Sequence, residues 1–131
     1  MHNAWLLVIC IGSPALAQEV IKVPSGQPIT FQEVIWNQPG PAGLTARFRF
    51  IAPQINRSGG TISSDTAFVD MDALCNDFAL PRVLTVTGPR PAEVVISLSD
   101  RELPFGETAP EATQFFEAYS VAEERCEWVM F

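Results

Sequence analysis

Histidine is almost missing from this sequence. The one imidazole is His2, and it falls in a segment that reads as a removable leader. A domain without histidine has no Ser-His-Asp or Cys-His catalysis. It also lacks the usual ligands for zinc and copper. No metal and no cofactor is therefore expected. Lysine is scarce as well: Lys22 stands alone among the eight Lys and Arg residues, which face 15 Asp and Glu for a net charge of −7. A field of that sign repels phosphate backbones and anionic lipid, which excludes nucleic acid and membrane surfaces as partners. There is no C-x-x-C pair to activate a thiol, no phosphate loop, no internal repeat and no low-complexity tract. Beyond Ala17 no apolar run approaches the ~20 residues that cross a bilayer, so no transmembrane segment is expected in the mature chain.

The apolar run that does exist is short and lies at the start. Trp5-Leu6-Leu7-Val8-Ile9-Cys10-Ile11 is unbroken hydrophobe, Gly12-Ser13-Pro14 breaks any helix, and Ala15-Leu16-Ala17 offers the small residues of an A-x-A cleavage site. This is the pattern of a secretory signal peptide over 1–17, followed by one domain over 18–131 in the periplasm or secreted. The bulky Ile9 before Cys10 argues against a lipid anchor there. All the Lys, Arg, Asp and Glu residues lie beyond position 17, so cleavage would leave the net charge unchanged. Cleavage leaves two cysteines, Cys75 and Cys126. An even count in an oxidising compartment predicts a disulfide between them.

Period-two and period-3.6 patterns then give the fold class. Ile29–Trp36 is rich in β-formers. Leu44, Ala46, Phe48, Phe50 and Ala52 alternate with Thr45, Arg47, Arg49 and Ile51, which predicts a strand with one buried and one solvated face. Ala67, Met71, Leu74 and Phe78, widened by Phe68, Cys75 and Ala79, form the stripe of an amphipathic helix of about four turns. Ser64 is its expected N-cap and Pro81 its expected stop. Asp70 and Asp72 are read as its wet face. Glu93–Asp100 reads as a strand with Val94, Ile96 and Leu98 inward. Residues 111–121 fit a helix or a strand, with a strand from about Gln114 favoured, and Cys126–Phe131 closes the chain. The expectation is an α+β domain: a single antiparallel sheet of about five strands, order β-β-α-β-β-β, with one amphipathic helix packed on one face.

Candidate chemistry gathers in the loop after that strand, where Asp100, Arg101, Glu102, Glu107 and Glu111 surround Pro104-Phe105-Gly106. Long loops often carry function. Asp100 with Glu107 or Glu111 would serve a small carboxylate-dependent hydrolase or lyase. Against this, Asp100-Arg101 also reads as a strand-end ion pair. Arg47 and Arg49 share one strand face and suit an anionic ligand or a partner's carboxylate; pairing with acids on neighbouring strands is the plainer alternative. Trp36, Phe105, Trp128 and Phe131 are read either as core or as a partner surface. Asn56-Arg57-Ser58 matches a glycosylation sequon.

The stretches Val95-Ile96-Ser97-Leu98-Ser99-Asp100-Arg101, Pro104-Phe105-Gly106-Glu107, Gln114-Phe115-Phe116-Glu117-Ala118-Tyr119 and Cys126-Glu127-Trp128 resemble a family of small exported alphaproteobacterial proteins that carries no known activity. Glu33-Val34-Ile35-Trp36 and Leu44–Phe50 fit it too. The resemblance implies export and brings no reaction. The sequence thus points to a non-catalytic binding or structural module that engages a protein or small ligand. Asp100, Arg101, Phe105, Glu107, Arg47 and Arg49 are its candidate binding residues. The alternatives are the hydrolase or lyase and an inhibitor of a secreted enzyme presenting the loop from Arg101 to Pro110.

Overall fold

The computed structural model describes residues 20–129. The expected leader and the last two residues lie outside that range, and with them His2, Cys10, the expected cleavage site and Phe131. Strand β1 (Thr30–Gly40) pairs antiparallel with β2 (Gly43–Ile51) through a two-residue turn, Gly40 opposite Gly43. β1 lies at the sheet edge, where Pro39 forfeits no ladder bond. A bulge between Ile35 and Gln38 places Asn37 at φ 59°, a conformation Asn tolerates better than most residues.

After β2 a short 3₁₀ turn (Pro53–Ile55) leads into α1 (Ser64–Leu74). The N-cap is Ser63, whose hydroxyl accepts from the Thr66 amide at 3.3 Å, rather than Ser64. Pro81 does not stop the helix. A π-helical turn (Cys75–Ala79) widens the backbone just ahead of it, the Leu80 amide reaches back to the Cys75 carbonyl, and α2 (Leu80–Leu84) continues with Pro81 in its first turn. Proline lacks an N–H and crowds the carbonyl four residues back. A single wide turn absorbs both faults without breaking the rod.

β3 (Glu93–Ser99) then lies beside β2 in parallel, Thr45 opposite Glu93 through Ile51 opposite Ser99. This corrects the expectation of a wholly antiparallel sheet. A helix between two neighbouring strands carries the chain back to the end it started from, so the second strand must run parallel to the first. β4 (Gln114–Ser120) and β5 (Glu127–Val129) return antiparallel, and the five-stranded sheet is ordered β1-β2-β3-β4-β5. The domain is α+β, with its helical rod on one sheet face.

The core fills the space between rod and sheet. Ala46, Phe48, Phe50, Val94, Ile96, Leu98 and Tyr119 face Ala67, Met71, Leu74, Ala79 and Val83, all nearly inaccessible. Each buried large apolar side chain contributes about 1.5–3 kcal/mol. Phe78 packs among Phe31, Phe50 and Phe48 at ring separations of 4.8, 5.3 and 6.3 Å, and Trp36 packs edge-on to Phe48. Cys75 in the π-helical turn bonds Cys126 just before β5, with Cα atoms 6.1 Å apart. The bridge ties the helix to the last strand, as their sequence positions suggested.

Asp70 departs from its expected place. It and Asp72 do point apart on the helix, but only Asp72 is exposed; Asp70 is completely buried. Its carboxylate accepts from the Ser25 amide (2.9 Å), the Ser25 hydroxyl (2.5 Å) and the Gln27 side-chain amide (2.7 Å). It thereby pins the segment ahead of β1 across the helix, while Val20 bridges Thr30.

Candidate functional site

The second face of the sheet is not left to solvent. The loop from Asp100 to Thr113 lies across it and buries Leu103, Ala112 and Thr113, with Arg49, Ser97 and Ser99 beneath. The solvated face expected for β2 and β3 is thus partly roofed. Local alternation fixes which side chains point that way, but not what covers them.

Side chains from well apart in the chain hold the roof. At its base Asp100 accepts from the Asn56 amide group (2.6 Å) and from Arg101 Nε (2.9 Å), and its own amide donates to the Thr113 carbonyl. Burial opposes ionisation of Asp100. The Arg101 hydrogen bond, the Thr113 main chain, the Arg101 charge and Asn56 outweigh burial and hold its carboxyl below the usual range. The same pairing raises Arg101. The Arg57 guanidinium donates to the carbonyls of Ala112 and Pro110. Nearer the tip, the Leu103 carbonyl accepts from Arg49 Nη2 (2.8 Å) and Gln32 Nε2 (2.9 Å). The tip is a turn in which the Glu107 amide donates to Pro104, with Gly106 at φ 84°. Turns of this form need positive φ at the third residue, which glycine supplies. That turn sets the Phe105 ring over the guanidinium carbons of Arg49 and Arg47, 5.5 and 5.8 Å away.

Between roof and sheet lies a cleft of about 290 Å³, lined by Arg47, Arg49, Phe105, Glu107, Gln114 and Phe116 among others. Four of the six residues picked from sequence, Arg47, Arg49, Phe105 and Glu107, thus line one cleft. Asp100 and Arg101 do not line it; they anchor the loop. Asp100 and Glu107 therefore share no cleft as a general-acid/base pair would. Asn56 is also committed: its side chain donates to Asp100 and accepts from the Ser58 amide. Among the described residues no group of three or more His, Cys, Asp or Glu could hold a metal ion.

The two arginines differ in their neighbours. Arg49 lies opposite Glu33 on β1 and pairs with it at 2.8 Å. Arg47 lies between Ile35 on β1 and Val95 on β3, so neither cross-strand position offers a carboxylate. Its Nε donates to Gln38 at 3.3 Å. Among the described residues its terminal nitrogens have no acceptor and it makes no ion pair. Burial and the adjacent Arg49 charge both push the Arg47 guanidinium below its ordinary value. Phe116 flanks it from β4, its ring 5.8 Å from the Arg47 carbon. Both Phe105 and Phe116 remain about half exposed.

Sequence reasoning missed Phe116, Gln38 and the tethers Arg57 and Gln32. Phe116 had a signal: once Gln114–Ser120 is read as a strand, it alternates to the face opposite Phe115 and Tyr119. Arg57 had none, because its partners lie more than 50 residues away.

Comparison with known proteins matches residues 9–131 to a family of unknown function (DUF6497). The chain belongs to that family. No curated protein matches it, and no solved structure does.

Proposed function

We propose that this chain is an exported, non-catalytic binding module whose site is the cleft between the β2–β4 face and the loop from Asp100 to Thr113. The observation that carries the reading is Arg47. A guanidinium in a partly buried cleft, its terminal N–H groups without an acceptor among the described residues, is a donor set waiting for an anion. The site is also preorganised: arginines and amides from three other segments hold the roof, so a ligand need not order it on arrival. Export is supported by the disulfide, which belongs to oxidising compartments, and by the leader-like start of the chain.

The hydrolase or lyase reading lacks support from the geometry. Asp100 takes its hydrogen bonds from Asn56 and Arg101 outside the cleft, and Glu107 is the one carboxylate among the described residues that line it. An inhibitor would present its loop away from the body, whereas here Leu103 and Ala112 press the loop onto the sheet. The test is a titration of the ¹⁵N-labelled protein with acetate, sulfate and phosphate, followed by amide and arginine side-chain resonances. Saturable shifts should gather at Arg47, Arg49, Phe105, Gly106 and Phe116. Shifts scattered over the surface, or none that saturate, would remove the proposal.

A further inference from the structure

The lining of the cleft narrows the anion. Arg47 spends Nε on Gln38, which leaves its two terminal nitrogens as a planar fork. That fork matches two coplanar oxygens. Glu107 lines the same cleft without an ion pair to either arginine, and Arg49 already has Glu33 as counter-ion. The cleft therefore holds one guanidinium without an ion pair and one carboxylate, Glu107, within a chain of net charge −7. A dianion would meet Glu107 and that field with a second charge left unpaired. The half-exposed rings of Phe105 and Phe116 each lie 5.8 Å from the guanidinium carbon and offer apolar surface to whatever is attached to the anion. At about 290 Å³ the space is at the small end for ligand sites, which start near 300 Å³.

We infer that Arg47 takes a single carboxylate joined to an apolar or aromatic substituent that lodges between Phe105 and Phe116. The inference rests on the cleft being a binding site, as proposed above. Two sources supply such a group: a free hydrophobic acid, or the C-terminal carboxylate of a protein chain that ends in an apolar residue.

Calorimetric titration of the purified protein with hydrocinnamate, N-acetylphenylalanine, their amides and phenyl phosphate tests it. Both acids should bind, their amides should not, and phenyl phosphate should bind more weakly than the acids. Arg47→Gln should weaken the acids about ten- to a hundredfold, the span of a lost charged hydrogen-bond pair. Arg47→Lys, which keeps the charge and loses the fork, should recover only part of that, and it supplies the readout should the glutamine variant fail to fold. Tighter binding of N-acetylphenylalanine identifies a chain end as the source, and tighter binding of hydrocinnamate a free acid. Phenyl phosphate binding as tightly as the acids, or amides binding equally well, would overturn the carboxylate assignment while leaving the cleft as a site. Failure of every probe to bind would remove both.

Discussion

Replacing Asp70 by alanine should be among the most damaging single changes in this domain. The carboxylate is fully buried on α1, and among the described residues it is solvated by neutral donors: the Ser25 amide, the Ser25 hydroxyl and the Gln27 side chain. Hydrogen bonds to a charged group contribute about 1.5–3 kcal/mol each, so three would sum to about 5–9 kcal/mol if they were independent. Removing a charge that costs several kcal/mol to bury offsets part of that. The net loss expected is about 2–4 kcal/mol, against a total stability of about 5–15 kcal/mol for a domain. With a urea slope of about 1–3 kcal/mol/M, the midpoint should fall by about 1–2 M. Asp70→Asn should fall nearly as far, because it turns an NH₂ toward donors. Tryptophan fluorescence in urea measures the midpoint, and hydrogen exchange at the Ser25 amide reports the pin itself. A midpoint within about 0.3 M of wild type, smaller than the shift that slope implies, together with a Ser25 amide that keeps its protection, would refute the reasoning.

Other parts of the fold give equally definite expectations. Cys75→Ser with Cys126→Ser opens a cross-link between residues 51 apart. Chain entropy puts the loss near 4 kcal/mol, read from urea curves of the oxidised wild type and the variant. Tyr119→Phe should be neutral or stabilising by about 1 kcal/mol, because the buried Tyr119 hydroxyl has no hydrogen-bond partner among the described residues; thermal unfolding decides it. Asp100 has its folded-state pKa below the unfolded one. Its contribution is therefore complete above the ordinary carboxyl range, near pH ~4, and drains away as pH falls through the lower folded value. Asp100→Asn should flatten the acid limb of a stability–pH curve. An unchanged slope would show that the Asn56 and Arg101 contacts do not favour its ionised form.

Much of the secondary structure could be read locally. The alternation from Leu44 to Ala52 and the stripe Ala67, Met71, Leu74, Phe78 are set by backbone periods that need no distant partner. What stayed hidden depended on distant segments. Asp70 looks like a solvated residue until Ser25 and Gln27 cross the helix. Arg49 looks exposed until Leu103 lies over it. The parallel pairing of β2 with β3 follows from the helical crossover and not from anything inside either strand. Pro81 reads as a stop because proline rules describe regular α-helix, and the π-helical turn changes the hydrogen-bond frame. For the site, arginines two apart on a strand together with an aromatic turn were visible. Which arginine lacks a counter-ion was not, because strand register decides that: Glu33 falls opposite Arg49, and Ile35 opposite Arg47.

The role of Arg47 is tested most directly by comparing two equal charge deletions. Arg47→Gln and Arg125→Gln each remove one guanidinium, but Arg125 is exposed and paired with Glu127, outside the cleft lining. In calorimetric titrations with hydrocinnamate, Arg47→Gln should bind at least about tenfold more weakly than wild type, and Arg125→Gln should match wild type. Equal losses in the two variants would mean that only net charge matters, and no site at Arg47 would remain.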